Sequence, residues 1–471
     1  MAKQKITFKN YHLGAISDSD YFGTDNSMAM IWGFDVHSEV GVAKVNQALT
    51  KDSGTTVDDF VRTGVSCSDG NTYFFGSTNG KIWKRTGAGT WTLEATASPA
   101  TGTAGILEAK EYQGYIYYAM SDKLGRWQLG TAWSTRNDNW DYFENGEILW
   151  HPMRIVNEVL YVGDRHMVAQ VDAGVFSRIA LDLTAPLKVK CLGQLGTDLL
   201  IGTYVASNVV ETQIFRWNTW SVSFTNSDPI PEVGINSFLA IDNGVLVNAG
   251  TKGNLYIYNG STLEPQKQIK GSWDNSTNKA QINPNANLNF HGLPIFGLST
   301  ISGTPTNMGI YSFGRANRNY PMVLNGEHGI STGNLNNIEI GAIIGYGDIY
   351  FVTWKDGVTY GVDKLDLALK YSGAYMTTRN IMVDRMTSLN YGVINIAHRL
   401  LPAGTLFNVY KKVNHASSFT QITDTQVNDL NKIFTTEVDI NNANILQVKI
   451  APTVSGNTAP EMESFDVMLN T

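Results

Sequence analysis

The sequence predicts an all-β chain. Its expected parts are an extended N-terminal arm over residues 1–56, a seven-bladed β-propeller over 57–370 and a β-sandwich over 371–471. Three observations carry this. Short apolar or alternating stretches recur at a steady interval, Gly-bearing turns separate them, and the composition suits strands and turns rather than helical bundles. The 471 residues include 45 glycines and 11% aromatics, with only 16% charged residues, below the roughly 25% usual for soluble proteins.

The clearest copy of the repeating unit is Leu246–Gly260, with an apolar strand, a Gly-Thr-Lys-Gly turn and an alternating return strand, Leu255-Tyr-Ile-Tyr258. Alternation of period two between turn dipeptides is the hairpin signature. Aligning the residue that ends the first strand gives Gly76, Ala119, Gly163, Gly202, Ala249, Gly297 and Thr353, at intervals of 43, 44, 39, 46, 48 and 56. A mean of about 46 residues matches a four-stranded propeller blade. The anchor strand is expected near the axis, where small residues let strands crowd. Return strands such as Lys81-Ile-Trp-Lys-Arg85 and Gln213-Ile-Phe-Arg-Trp217 would fill the wedges between blades, with Trp91, Trp127, Trp217 and Trp220 as packing residues. Trp140-Asp141 and Trp273-Asp274 do not end blade strands at a repeating position, so the WD40 signature is absent. The longest interval leaves room for an exposed loop over Ser312–Asn337.

The segments outside the repeat read differently. The arm holds short strand candidates at Ile6–Gly14, Met28–Val36 and Val40–Val45, too few for a core, so it is expected to lie across the following domain or a neighbouring subunit. After Tyr371 the period stops and six short strands follow within about 100 residues, which suggests a small sandwich. Asp424–Asn431 reads as a short helix or a bulging loop.

Charge and cysteine usage exclude several functions. A net charge of −7 gives no general nucleic-acid surface, which needs clustered Lys and Arg. Cys67 and Cys191 form no CxxC pair, which argues against a disulfide scaffold or a cysteine zinc site. No apolar run reaches the about 18 residues of a membrane span, and the basic start lacks the apolar run of a signal peptide, so synthesis in the cytoplasm without membrane insertion is expected.

Candidate chemistry is sparse. Gly329-Ile-Ser-Thr-Gly333 matches G-x-S-x-G, but that nucleophile elbow needs a strand–turn–helix corner and no helix follows. His12, His37, His151, His166, His291, His328, His398 and His415 never occur as H-x-H or H-E-x-x-H. Asp18 and Asp20 lack the rest of a calcium loop. No phosphate-binding glycine pattern is present. No catalytic, cofactor-binding or metal-ligating residue is assigned, and no enzyme activity or cofactor is expected.

A resemblance enters at the two ends. Gly33-Phe-Asp-Val-His-Ser-Glu-Val-Gly-Val-Ala-Lys-Val45 resembles the G-[FL]-D-[IV]-H-S-x-x-G-x-x-K-V stretch that closes the arm of propeller-type, tail-associated virion proteins of tailed bacteriophages. Thr458-Ala-Pro-Glu-Met-Glu-Ser-Phe465 is similar to the entry to their last strand. Val40 stands where Pro is common. The resemblance implies a structural component of a bacteriophage virion, a tail nozzle, hub or tip ring subunit. Its partners would be other tail proteins and copies of itself in a ring. The alternative is a host-attachment propeller that binds surface glycan, with cleavage ranked below binding, through Trp133, Trp140 and Trp150.

Overall fold

The structure is a computed structural model that describes residues 3–9, 11, 16, 28–54, 56–98, 105–147, 149–183, 185–205, 212–242, 244–269, 271, 277–382, 389–422 and 433–470. Among the described residues there is no α-helix. His12, Asp18, Asp20, Trp273 and the Asp424–Asn431 segment lie outside them. The chain divides into two compact units, one of Thr50–Gly309 with Asn334–Lys364, the other of Met1–Leu49, Ile310–Gly333 and Leu365–Thr471.

The first unit is a β-propeller. Five consecutive antiparallel sheets of four strands follow one another along the chain, each in simple sequence order. The first runs through Val61–Ser66, Thr72–Gly76, Lys81–Arg85 and Trp91–Thr96, and the second through Glu108–Tyr112, Tyr115–Ala119, Lys123–Gln128 and Asn137–Tyr142. The sheets that open with Met153–Val156, Lys188–Leu195 and Ile235–Ile241 repeat the plan. A hairpin of Lys279–Phe290 with Leu293–Ser302 and a sheet that opens with Ile338–Tyr346 complete the unit.

The opening strands touch in a closed cycle. Val61–Ser66 lies beside Glu108–Tyr112, that beside Met153–Val156, and so on through Lys188–Leu195, Ile235–Ile241, Lys279–Phe290 and Ile338–Tyr346, which returns to Val61–Ser66. Each opening strand is the inner edge of its sheet, and the ring leaves these edges short and shielded by their neighbours. It is also tied by polar contacts. Ser66 Oγ donates to Gly345 O at 2.8 Å and Thr353 Oγ1 to Val61 O at 2.7 Å. The chain just after residue 50 adds to the last sheet, with Asp52 N–H donating to Val362 O. The Asp52 carboxylate then accepts Arg85 Nε at 2.5 Å and Trp91 Nε1 at 3.0 Å on the first sheet, and pairs with Lys364 Nζ at 3.3 Å. Burial pushes the Asp52 carboxyl up, but these donors outweigh it and its pKa is lowered.

Every anchor residue falls on the second strand of its sheet, one place out from the axis, which corrects the expected position. The smallness has a different cause. A Cβ on Gly163 would sit 2.7 Å from Val189, on Gly202 2.8 Å from Ile235, and on Gly297 2.5 Å from Ile340. Each of those neighbours lies in the opening strand of the next sheet, or for Gly297 in that of the sheet opening at Ile338. Adjacent sheets approach too closely there for a side chain. Thr353 keeps its side chain at the equivalent place by donating its hydroxyl to Val61 O across the same gap.

Trp127 and Trp217 pack inside as expected, and Trp91 is half-buried. Trp220 does not: it is 84% exposed on a turn, its N–H held by Asn218. Trp133 corrects the opposite expectation, being buried and stacked on Trp127 at 3.9 Å.

The second unit joins both chain ends. Lys3–Phe8 pairs antiparallel with Met462–Asn470, in register from Lys3 with Asn470 to Phe8 with Phe465. Met462–Asn470 pairs with Leu389–His398, and that with Ile433–Ala443. A second sheet places Met28–Trp32 between Val323–His328 and Tyr375–Thr378, then continues through Ile445–Thr453 and Leu406–Val413. One core lies between them, built from Phe8, Ile31, Phe34, Ile394, Ile396, Phe407, Ile450 and Phe465 among others. The division falls elsewhere than at 56 and 370: the described residues of the expected arm up to Leu49 belong to the same unit as Leu365–Thr471, and those from Thr50 on belong to the propeller. The Ser312–Asn337 stretch is corrected too. It contains the strand Val323–His328, buried along its whole length.

Candidate functional site

Two buried polar clusters stand out, one in each unit. In the second unit the cluster is built by the Gly33–Asn46 stretch. Gly33 turns the chain at φ +76°, where a Cβ would crowd Ala374 at 2.8 Å. Phe34 is fully buried, and Asp35 accepts the N–H groups of His37 and Ser38 at 2.8 and 3.0 Å in an Asx turn. That turn aims His37 inward, 3.1 Å from Ser312 Oγ. Ser312 donates to Glu327 Oε1, which also accepts Asn325 Nδ2 at 3.0 Å, while Glu327 Oε2 accepts Asn46 Nδ2 at 2.5 Å. Burial pushes the Glu327 carboxyl up to about 7, with Asp35 adding and the three donors opposing.

Ser, His and Glu in contact invite a catalytic reading, but the order of the bonds forbids it. In a nucleophile relay the imidazole takes the hydroxyl proton. Here the Ser312 proton goes to the carboxylate, so the hydroxyl accepts from His37, whose Nε2 carries the hydrogen. Burial lowers the His37 pKa to about 4, against the pull of Asp35, so it stays neutral. Ser312 is fully buried, with no surface for a substrate. Glu39 adds a clamp outside: it pairs with Arg399 and with Lys44 at 2.6 Å, and Arg399 reaches Glu461 at 2.8 Å.

In the propeller the opening strands enclose an axial cavity of about 690 Å³. Glu108 lies in its wall, its carboxylate accepting Thr63 Oγ1 at 2.9 Å and Asn285 Nδ2 at 2.5 Å. Asn285 reaches it because the pairing of Lys279–Phe290 shifts between Ile282 and Asn287, leaving an excess of residues that bulge. The same amide contacts Arg62 O at 3.3 Å. Burial pushes the Glu108 carboxyl up to about 7 despite these donors. Glu111 accepts both Ser68 N at 3.0 Å and Ser68 Oγ at 2.5 Å. Lys110 and Arg154, on neighbouring strands, also line the cavity.

The other sequence candidates do not converge. Ser331 sits in an exposed turn closed by Gly333 N–H to Ile330 O, and the next element is the strand Ile338–Tyr346. His151 is buried, bridging Gly163 O at 2.7 Å and Ser121 O at 3.1 Å. His328 contacts Gln47 O at 3.0 Å and His398 donates to Arg399 O at 2.7 Å. His166 and His291 stand near Asp182 and Asp348 at 3.6 and 3.8 Å. Among the described residues no group of three or more His, Cys, Asp or Glu is placed to hold a metal. Both cysteines are free and buried, which raises their thiol pKa well above the usual value. The tryptophans proposed for glycan are engaged by protein. Trp140 packs against Tyr117 and lies under Arg126, and Trp150 lies between Arg62 and Lys190, each 5.2 Å from its ring. Glu327 and Asn325 escaped sequence reasoning because polar residues in an Asn-rich stretch look exposed. Glu108 escaped because 42 acidic residues hide one buried carboxylate.

No family model and no curated protein matches the chain. Solved structures resemble it distantly. The extracellular domain of the two component system BT4673 from B. thetaiotaomicron has 13% identity over 77% of this chain and 42% of its own, with a TM-score of 0.46. This chain thus spans under half of that domain's length. The β-propeller domain of Myceliophteria thermophila Cps50 (Swd1) has 14% identity over 67% and 99%, TM-score 0.44, and the WD40 repeats of RRP9 have 12% over 68% and 98%, TM-score 0.48.

Proposed function

We propose that this chain is a structural component of a tailed-bacteriophage virion, a tail nozzle, hub or tip ring subunit that works by protein–protein assembly. In this reading the seven repeats are seven blades, and the second unit is a β-sandwich that both chain ends help to build. The partners are copies of the chain in a ring and other tail proteins, and its place is the virion tail. One observation carries the reading: the stretch on which the virion resemblance rests is spent on architecture. Gly33 makes a turn, Phe34 fills the core, Asp35 caps the turn, His37 supports Ser312, and Glu39 and Lys44 pair. A motif used this way marks a way of building a body, not a reaction. Quantitative mass spectrometry of purified particles is the test. The chain is expected in a fixed number of copies, several per particle, and its absence from particles that carry portal and capsid proteins would reject the reading.

A further inference from the structure

We propose that the axial cavity of the propeller is a binding site for a small organic oxyanion, a carboxylate or phosphate, held by Lys110 and Arg154. The two side chains belong to neighbouring opening strands, Glu108–Tyr112 and Met153–Val156, and both line the cavity. Among the described residues neither makes a side-chain hydrogen bond or an ion pair within 4 Å. Both residues are half-buried, and placing cations in such a wall without bonded partners is costly, so chains usually pair or discharge such groups. Both carry lowered pKa values, from burial first, and Arg154 adds repulsion on Lys110.

The nearby carboxylates do not discharge this pair. Glu111 is taken by two bonds from Ser68. Glu108 is bound by Thr63 and Asn285, and Lys110 feels its field without reaching it. Two cations set side by side in a wall, neither bonded to a carboxylate and only Lys110 in the field of one, Glu108, are an arrangement that a bidentate oxyanion can complete. The size selects the ligand. A volume of about 690 Å³ falls in the range of pockets for small molecules. The rest of the lining mixes apolar and amide side chains, among them Leu192, Phe238, Asn287 and Asn289. That wall suits a compact hydroxylated body behind the charged group. The site is independent of the proposed assembly role.

The test is isothermal titration of the full chain with glucuronate, glucose 6-phosphate, inorganic phosphate and, as a neutral control, glucose. At least one anion is expected to bind saturably, with glucuronate and glucose 6-phosphate separating the carboxylate from the phosphate source. Lys110→Met and Arg154→Met should each weaken that binding about tenfold, the loss of one charge-assisted contact. A second readout does not need ligand: Lys110→Met should raise the thermal midpoint of the free protein, because it removes an unpaired cation. No saturable anion binding, equal binding of glucose, affinity unchanged in the variants, or a lowered midpoint in Lys110→Met would each overturn the proposal.

Discussion

Glu327 and Glu108 are two buried glutamates whose carboxyls burial pushes to the same value, about 7. Their surroundings differ. Glu327 is ringed by three side-chain donors, Ser312, Asn325 and Asn46, inside a closed core. Glu108 has two, Thr63 and Asn285, in a wall that also presents two unpaired cations to a cavity. A carboxylate in a closed network specifies how strands fit, since each donor is satisfied only in one arrangement. One beside a cavity is compatible with recognition. The perturbed pKa alone does not separate architecture from function; the state of the neighbouring groups does.

Truncation should break the comparison most sharply. Glu327→Ala strands two buried donors, Ser312 and Asn325, and the half-buried Asn46, and should cost about 3 kcal/mol of unfolding free energy. Glu108→Ala leaves its two donors facing a cavity that water can reach, and should cost about half as much or less. Urea midpoints with unchanged slopes would measure both. Equal losses would show that the cavity wall is as closed as the core.

The pH dependence sharpens it next. Each glutamate has a folded pKa near 7 against an ordinary value of 4.5. Stability from these groups is therefore full below 4.5 and lost as pH rises through 7, on the order of 3 kcal/mol each at most. His37 and His328 run the other way: burial lowers both to about 4 from 6.5. They contribute stability above 6.5 that is lost as pH falls toward 4. In the second unit the two slopes oppose between about 4.5 and 6.5, so Glu327→Gln should unmask a stability that rises with pH across that window. Glu108→Gln should unmask no such slope beyond its own, since no histidine lines the cavity. Unfolding free energies from pH 4 to 8 would check this, and a flat Glu327→Gln profile would remove the histidines from the account.

How much of this was legible follows from what period and burial reveal. Repeats with alternating strands announced the propeller, because sheet faces impose a period of two on every strand. The anchors were found for the right property and placed on the wrong strand: smallness signals close approach, but not which neighbour approaches. Trp133 and Trp220 were exchanged because tryptophan content does not tell a stacked ring from one on a turn. The arm was misread because Met28–Trp32 finds its partners in residues 323–328 and 375–378, a pairing that no local pattern encodes. Lys110 and Arg154 were invisible for the same reason. They become neighbours only when two consecutive sheets pack side by side.

Two serines set the smallest effect and isolate its cause. Ser331 satisfies a catalytic pattern in sequence, yet it lies in an exposed turn closed by backbone bonding. Ser312 satisfies no pattern, yet it links His37 to Glu327 in the core. Ser312→Ala removes one donor from a buried carboxylate and one acceptor from a buried imidazole, and should cost about 1–2 kcal/mol. It should also raise the Glu327 pKa further, since the lost hydroxyl favours the ionised form, and so move the loss of stability to higher pH. Ser331→Ala should change stability by less than about 0.5 kcal/mol and leave the pH profile where it was. A shift of the pH profile in Ser331→Ala would mean that its turn couples to the Glu327 network. A pH profile unmoved in Ser312→Ala would mean that the hydroxyl points away from the carboxylate, and that His37 is held by packing alone.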